Sequence, residues 1–172
     1  NSLLGCTPAL LKKGIHDAAF TPLIGDDKST CSLFRKQNKS TLGQAEITTY
    51  NSEFTYDLEL AIKQSNIIES MPDENLEQLE KKSLAYSDFI SSEYCLQTRL
   101  PYDAWCAAFV WVKHPDNTSP VTNSTLENLL AHPDNIEPER LASIKCLAAE
   151  YKFFHWHIAF PDVFVAKLPN EI

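Results

Sequence analysis

The chain has 172 residues, enough for one domain with a full core or two very small ones. Hydrophobic residues at 44% and charged residues at 22% argue against wholesale disorder, and no apolar run approaches the roughly 20 residues that span a bilayer. A net charge of −8, from 23 acidic and 15 basic side chains, argues against strong DNA binding by charge alone, because nucleic-acid affinity rests on phosphate neutralisation.

In chain order the pattern is helical. The opening "NSLLGCTPALLKKG" has no basic segment ahead of an apolar one, so it does not read as a secretory signal. It also lacks an initiating Met, and the chain is expected to begin inside a longer polypeptide. Within it, Thr7 is the expected N-cap of a helix, Pro8 its first residue and Gly14 its stop. A second helix is expected over "IGDDKSTCSLFRKQN", with acidic residues early and basic ones late, as the helix dipole favours. A third runs from Thr55 to Ser70, with Leu58, Ala61, Ile62 and Ile68 on one face and Pro72 beyond its end.

Asp73 is the expected cap of the longest helix, running to about Thr98 on a stripe of Leu76, Leu79, Tyr86, Ile90 and Tyr94. At 1.5 Å per residue it would span on the order of 40 Å. Pro101 is expected to open "PYDAWCAAFVWVK", whose Tyr102, Trp105, Cys106, Phe109, Val110 and Val112 are apolar all round, as in a core helix. After a polar loop over 114–123, Ser124 and Glu127 form an expected capping box for a short helix ending near Ala131. Pro138 starts the last helix, with Leu141, Ile144, Leu147, Ala148 and Tyr151 on one face. Then comes "FFHWHIAFPDVF", in which Phe154, Trp156, Ile158 and Phe160 alternate with His155, His157 and Ala159. Period two predicts a short extended segment, with Trp156 and Phe160 buried and apolar surface left near Phe164. The fold class is therefore mainly α: a bundle of six or seven helices with a short extended aromatic segment near the C-terminus, forming one domain over 1–172.

Reactive chemistry is sparse. The five cysteines form no CxxC pair, and Cys95, Cys106 and Cys146 read as small buried hydrophobes in a reducing, cytoplasmic compartment. The sequons at Asn38, Asn117 and Asn123 are then chance matches. His155 and His157 place two rings on one face, with Cys146 as a third metal donor, but no fourth ligand has a natural spacing, and no metal is expected. Cys106 has no electropositive neighbour to activate it. The carboxylate pairs Asp26–Asp27 and Asp73–Glu74 sit at helix starts, where the dipole accounts for them. Lys28, Arg35, Lys36 and Lys39 make a local basic patch, which reads either as a solvated helix face or as a contact for a polyanion. No catalytic residue is expected within the chain.

Five stretches, "NSLLG" at 1–5, "TPALLKKGI" at 7–15, "GDDK" at 25–28, "YDAWCAAFVWVK" at 102–113 and "FHWHIAFPDVF" at 154–164, occur in this order. Together they resemble the middle of the large N6-adenine DNA methyltransferases of bacterial type II restriction–modification systems. That resemblance implies a helical insert between the cofactor-binding and catalytic halves of a Rossmann-like domain. The first stretch would follow the strand of the third S-adenosylmethionine motif. The last would precede the strand ending in the catalytic Asn-Pro-Pro-aromatic tetrapeptide, which this chain does not contain. Asn1 would match the residue that contacts the cofactor's adenine ring. His157 and Asp162 depart from the family, which usually has an acidic residue at the first position and often Glu at the second.

The resemblance further implies S-adenosylmethionine as the parent's cofactor, DNA and the rest of the methyltransferase chain as partners, and no membrane. The parent's reaction would be methyl transfer to adenine N6 with the base flipped out of the duplex. The insert alone would be inactive, with a structural or DNA-positioning role. The alternative reading is a helical interaction domain that docks a neighbouring nuclease or specificity domain through the helix from Asp73 to Thr98.

Overall fold

The computed structural model describes residues 3–42, 63–117, 119–132, 135–160 and 163–164. Their regular structure is helical throughout, with no strand among the described residues, so the chain is mainly α as its periodicity predicts. The elements are α1 (Pro8–Lys13), a 3-10 turn (Asp17–Phe20), α2 (Lys28–Leu42), α3 (63–69), α4 (Leu76–Ser91), α5 (Glu93–Val110), α6 (Asn123–Ala131), α7 (Pro138–Tyr151) and α8 (Trp156–Ala159). They fall into two compact units, each built from two stretches of sequence. Unit 1 takes 1–50 and 100–155, and unit 2 takes 51–99 and 156–172.

Local chemistry sets the helix ends in unit 1. The Thr7 hydroxyl accepts from the Leu10 N–H, Pro8 fills the first turn, and Gly14 ends α1 at φ 75°, a conformation that disfavours a Cβ. Asp27, just ahead of α2, accepts from the Thr30 N–H and from the Ser29 and Thr30 hydroxyls. Both acidic residues thus precede the first turn of α2, and Asp27 caps it. The cap of α6 is Thr122, which accepts from the Thr125 N–H, two residues before the expected Ser124. Thr122 serves because its backbone is extended, whereas Ser124 already lies within the helix. α7 starts at Pro138 as expected and ends on Lys152 in the left-handed region.

The longest expected helix is two helices. Ser92 ends α4 with its N–H and hydroxyl on the Phe89 carbonyl, and its own hydroxyl accepts from the Cys95 N–H to start α5. The cap of α4 is Asn75, which accepts from the Gln78 N–H, while Asp73 pairs with Lys82 at 2.8 Å. Pro101 lies inside α5 and does not open it. A proline costs an interior helix its bond to the carbonyl four residues back, but the Ser92 cap has already nucleated the helix two turns earlier. Residues 55–62 of the expected third helix lie outside the described residues, and 63–69 of it are helical.

The core of unit 1 gathers Leu11, Ile15, Phe20, Tyr102, Val121, Leu126 and Ile144, all fully buried. α2 packs on the 3-10 turn and on α6. Ala104, Ala107 and Ala108 of α5 are also fully buried, so this helix meets its neighbours at backbone distance. Each large apolar side chain so buried contributes on the order of 1.5–3 kcal/mol. Trp105 and Phe109 pack with ring centroids 4.6 Å apart and planes tilted by 43°, and the Trp105 indole N–H donates to the Gly14 carbonyl at 2.9 Å. Trp105 and Phe109 are half-buried and not core residues, so Trp105→Ala is expected to cost about 2–3 kcal/mol through the missing ring and the unpaired carbonyl. An unchanged melting temperature would show that the ring carries no such load.

The aromatic segment near the C-terminus differs from its expectation. Residues 153–155 lie outside any helix, but Trp156–Ala159 is a helical turn. Trp156 and Phe160, expected to be buried, are 47% and 45% exposed, while Phe153, His155 and His157 are buried. Alternation every second residue also contains the pair at i and i+4, and here Trp156 and Phe160 use it, stacking at 5.6 Å on one side of the turn. Val163 and Phe164 are exposed, as expected for the apolar surface near Phe164.

Candidate functional site

In unit 1 the polar side chains of the interior converge on three points. The first joins residues 149 positions apart: the Cys6 N–H donates to Nδ1 of His155 at 3.1 Å. Close by, the Phe154 N–H donates to the Leu4 carbonyl at 2.8 Å. A backbone N–H can only donate, so Nδ1 accepts and the ring proton sits on Nε2, where it meets Asp103 Oδ1 at 2.9 Å. Tyr102 packs beside the imidazole with ring centres 5.4 Å apart. Gly5 is required between these contacts, because a Cβ there would stand 2.0 Å from the Phe154 carbonyl oxygen.

The second point is an asparagine clamp around Ile15. Asn123 Oδ1 accepts from the Ile15 N–H at 2.6 Å, Asn38 Nδ2 donates to the Ile15 carbonyl at 2.8 Å, and Asn38 Oδ1 accepts from the Asn123 N–H at 2.9 Å. Both side chains are buried, so the backbone polar groups between α1 and the 3-10 turn find partners without water. Asn38 and Asn123 belong to sequons, and their burial withholds them from modification.

The third point is Lys113, fully buried with its ammonium on the Trp111 carbonyl at 2.8 Å. Burial pushes its pKa down, with Asp26 and Cys31 opposing the shift. Its backbone N–H donates to Asp26 Oδ1, and its carbonyl accepts from the Asp27 N–H. Asp26 feels a desolvation penalty, but the N–H donors of Lys113 and Leu23 outweigh it and hold its carboxyl below the usual range. Asp27 is held down to about 2 by the Ser29 and Thr30 hydroxyls and the Thr30 N–H. A depressed folded value means a contribution that is present above the ordinary value of 3.8 and lost as pH falls through about 2. Hydrogen exchange of the Thr30 amide should therefore quicken as pH falls across that window in native protein, relative to its intrinsic rate. Asp27→Asn should remove the transition, and a variant that keeps it would clear Asp27 of the role.

The buried thiols Cys6 and Cys106 are inert by environment. Burial pushes Cys106 up to about 12, with Asp103 adding to the shift, and Cys6 is raised further still by burial and Cys106. Cys146 is exposed, whereas His155 is committed to Cys6 and Asp103. No group of three His, Cys, Asp or Glu among the described residues is placed to hold a metal ion. Asn1 lies outside the described residues. Asp103 and Lys113 were the missed residues. A charged side chain set in a run as apolar as 102–113 is a signal that a buried partner exists.

Unit 2 holds a separate feature, an open cleft of about 420 Å³ lined by Ile68, Leu79, Lys82, Tyr86 and Phe160 among others. α4 beside it buries none of its residues, and Leu76, Leu79, Leu84, Tyr86 and Ile90 are exposed. No helix among the described residues is long and apolar enough to cross a membrane.

The fold and the interior contacts define the class: a mainly α chain in which residues 4–6 and 154–155 are hydrogen-bonded to each other and His155 is held in turn by Asp103 of α5. No family model, curated protein or solved structure matches it.

Proposed function

We propose that this chain is the helical segment joining the cofactor-binding and catalytic halves of an S-adenosylmethionine-dependent N6-adenine DNA methyltransferase of a bacterial restriction–modification system. Its role is to brace those halves and position DNA, and it carries no catalytic residue. One observation carries the reading beyond the resemblance in sequence. The stretch that would follow the cofactor half, at Leu4–Cys6, is hydrogen-bonded to the stretch that would precede the catalytic half, at Phe154–His155. An insertion must leave its host domain and return to it at nearly one place, and this pairing supplies that place.

The other stretches support it by the same kind of contact. Residues 7–15 meet 102–113 through Gly14 and Trp105, residues 25–28 meet 102–113 through Asp26, Asp27 and Lys113, and Asp103 bonds to His155. Each of the five stretches that carry the resemblance thus enters this network in unit 1, the last of them through residues 154–155 alone.

The test uses the longer polypeptide with labelled S-adenosylmethionine and duplex DNA. Methyl label is expected on adenine N6, and absence of transfer would overturn the reading. The 172-residue chain alone should show no saturable binding of the cofactor in calorimetry, since it holds no glycine-rich turn to approach it.

A second reading is favoured by the exposed apolar stripe of α4, which suits docking of a neighbouring nuclease or specificity domain. On that reading Leu79→Asp leaves the melting temperature of the chain unchanged and weakens its association with the remainder of the polypeptide. Normal association would remove the reading.

A further inference from the structure

We propose that α2 is a DNA-backbone contact: the stripe formed by Lys28, Ser32, Arg35, Lys36 and Lys39 meets the phosphates of a duplex. The choice of DNA over another polyanion rests on the methyltransferase reading, whereas the surface itself is argued from charge and geometry.

In a chain of net charge −8, residues 7–42 hold six of the 15 basic side chains and only three of the 23 acidic ones. α2 carries four of the basic residues and no acidic one. The three acids of the stretch are engaged: Asp17 with Lys39 at 2.9 Å, Asp26 with the backbone of Leu23 and Lys113, and Asp27 as the cap of α2. At 3.6 residues per turn, positions 28, 32, 35, 36 and 39 fall on one side of the helix, over about 16 Å of its length. Lys28, Ser32, Lys36 and Lys39 are exposed or partly so, and Arg35 is half-buried.

Helix stability accounts for Lys39, which stands in the last turn and pairs with Asp17, but not for Lys28, Arg35 and Lys36. Lys28 stands in the first turn, where the helix dipole disfavours a cation. Arg35 and Lys39 are four positions apart and Lys36 and Lys39 three, spacings at which like charges repel. Three cations of other helices are matched by nearby acids: Lys81 with Glu77 at 2.7 Å, Lys82 with Asp73 at 2.8 Å, Arg140 with Glu137 at 2.6 Å. The Lys28 and Lys36 side chains make no ion pair or hydrogen bond with any described residue. Arg35 is aimed by the Phe20 carbonyl and the Thr21 hydroxyl, which hold one end of its guanidinium. A one-sided row of cations, with Lys28 and Lys36 unmatched and a hydroxyl between them, matches the groups that position a protein on a phosphate backbone.

The test is fluorescence anisotropy of a labelled duplex with the 172-residue chain over a range of salt concentrations. Log affinity should fall linearly with log salt, and the Lys28→Ala, Lys36→Ala double variant should show a slope shallower by about 2, one for each phosphate no longer neutralised. The weakening should be the same for unrelated duplex sequences. Lys63→Ala with Lys145→Ala removes equal charge from two other exposed positions and should leave the slope unchanged, while Lys28→Arg with Lys36→Arg should retain it. Circular dichroism checks that each variant is folded.

No binding by the unaltered chain, an unchanged slope in the double variant, or an equal weakening in the Lys63, Lys145 control would each overturn the proposal. So would preferential binding of polyglutamate over duplex, which would make the partner an acidic protein. Adenine methylation by the longer polypeptide is an independent readout. Methylation with an unchanged slope removes the α2 surface alone, and its absence removes the methyltransferase reading.

Discussion

Gly5→Ala is expected to lower the melting temperature by about 6–12 °C. The added Cβ would stand 2.0 Å from the Phe154 carbonyl oxygen, and that neighbour is backbone, held in turn by the Phe154 N–H on the Leu4 carbonyl. No rotamer can relieve such a clash, so the two stretches of chain must separate. Overpacking of this kind costs about 1–3 kcal/mol, and breaking the closing hydrogen bonds adds about 1 kcal/mol. Taken together as about 3 kcal/mol, in a chain of this size each kcal/mol moves the midpoint by about 2–4 °C. Differential scanning calorimetry measures it. A midpoint within about 1–2 °C of the unaltered protein, the movement expected of an ordinary surface substitution, would show that the Leu4–Phe154 closure contributes little.

Asp103→Ala should be nearly as damaging, and Asp103→Asn much less so. The Nε2–H of His155 is buried and donates to Asp103 Oδ1. Alanine leaves that proton without its acceptor, at a cost of about 2–3 kcal/mol, and opens space beside Tyr102 and the imidazole. Asparagine keeps an oxygen where the carboxylate oxygen was, so a cost of about 1 kcal/mol is expected. The tautomer gives a second readout. Nitrogen NMR of His155 should show the proton on Nε2 in the unaltered protein and in the asparagine variant, and tautomeric exchange in the alanine variant. Equal destabilisation in the two variants would mean that the carboxylate's charge, and not its role as acceptor, holds the ring.

Much of this was legible in residue order. Thr7, Pro8 and Gly14 delimit α1, and Pro138 opens α7, because capping and proline chemistry act over three or four residues and need no tertiary context. Ser92 was hidden because the apolar stripe from Leu76 to Tyr94 runs straight across it. Periodicity reports which side of a helix is apolar and says nothing of a serine turning the backbone to ψ 146° within the run. The aromatic segment misled for a related reason: Phe154, Trp156, Ile158 and Phe160 satisfy a period of two and a spacing of four at once. The buried side proved to be that of the histidines, since His155 gains two hydrogen bonds there. Asp103 and His155 could not have been paired from spacing. Their meeting depends on a fold that brings the C-terminal stretch back to α5.

The Leu4–Phe154 closure also sets an order of events during synthesis. Unit 1 is made of an early and a late stretch of the chain, so its N-terminal helices emerge long before the residues that complete them. Until position 155 has left the ribosome, the Cys6 N–H has no imidazole to bond and Leu11 and Phe20 lack part of their cover. The helices between 63 and 99 are contiguous and emerge in the interval, so their local contacts form while unit 1 is still open. The loop that must close is long, and its entropy is repaid only when the final contacts form together. The vulnerable species is therefore a nascent chain with α1 and α2 made and their apolar sides uncovered, which is where a holdase chaperone would bind.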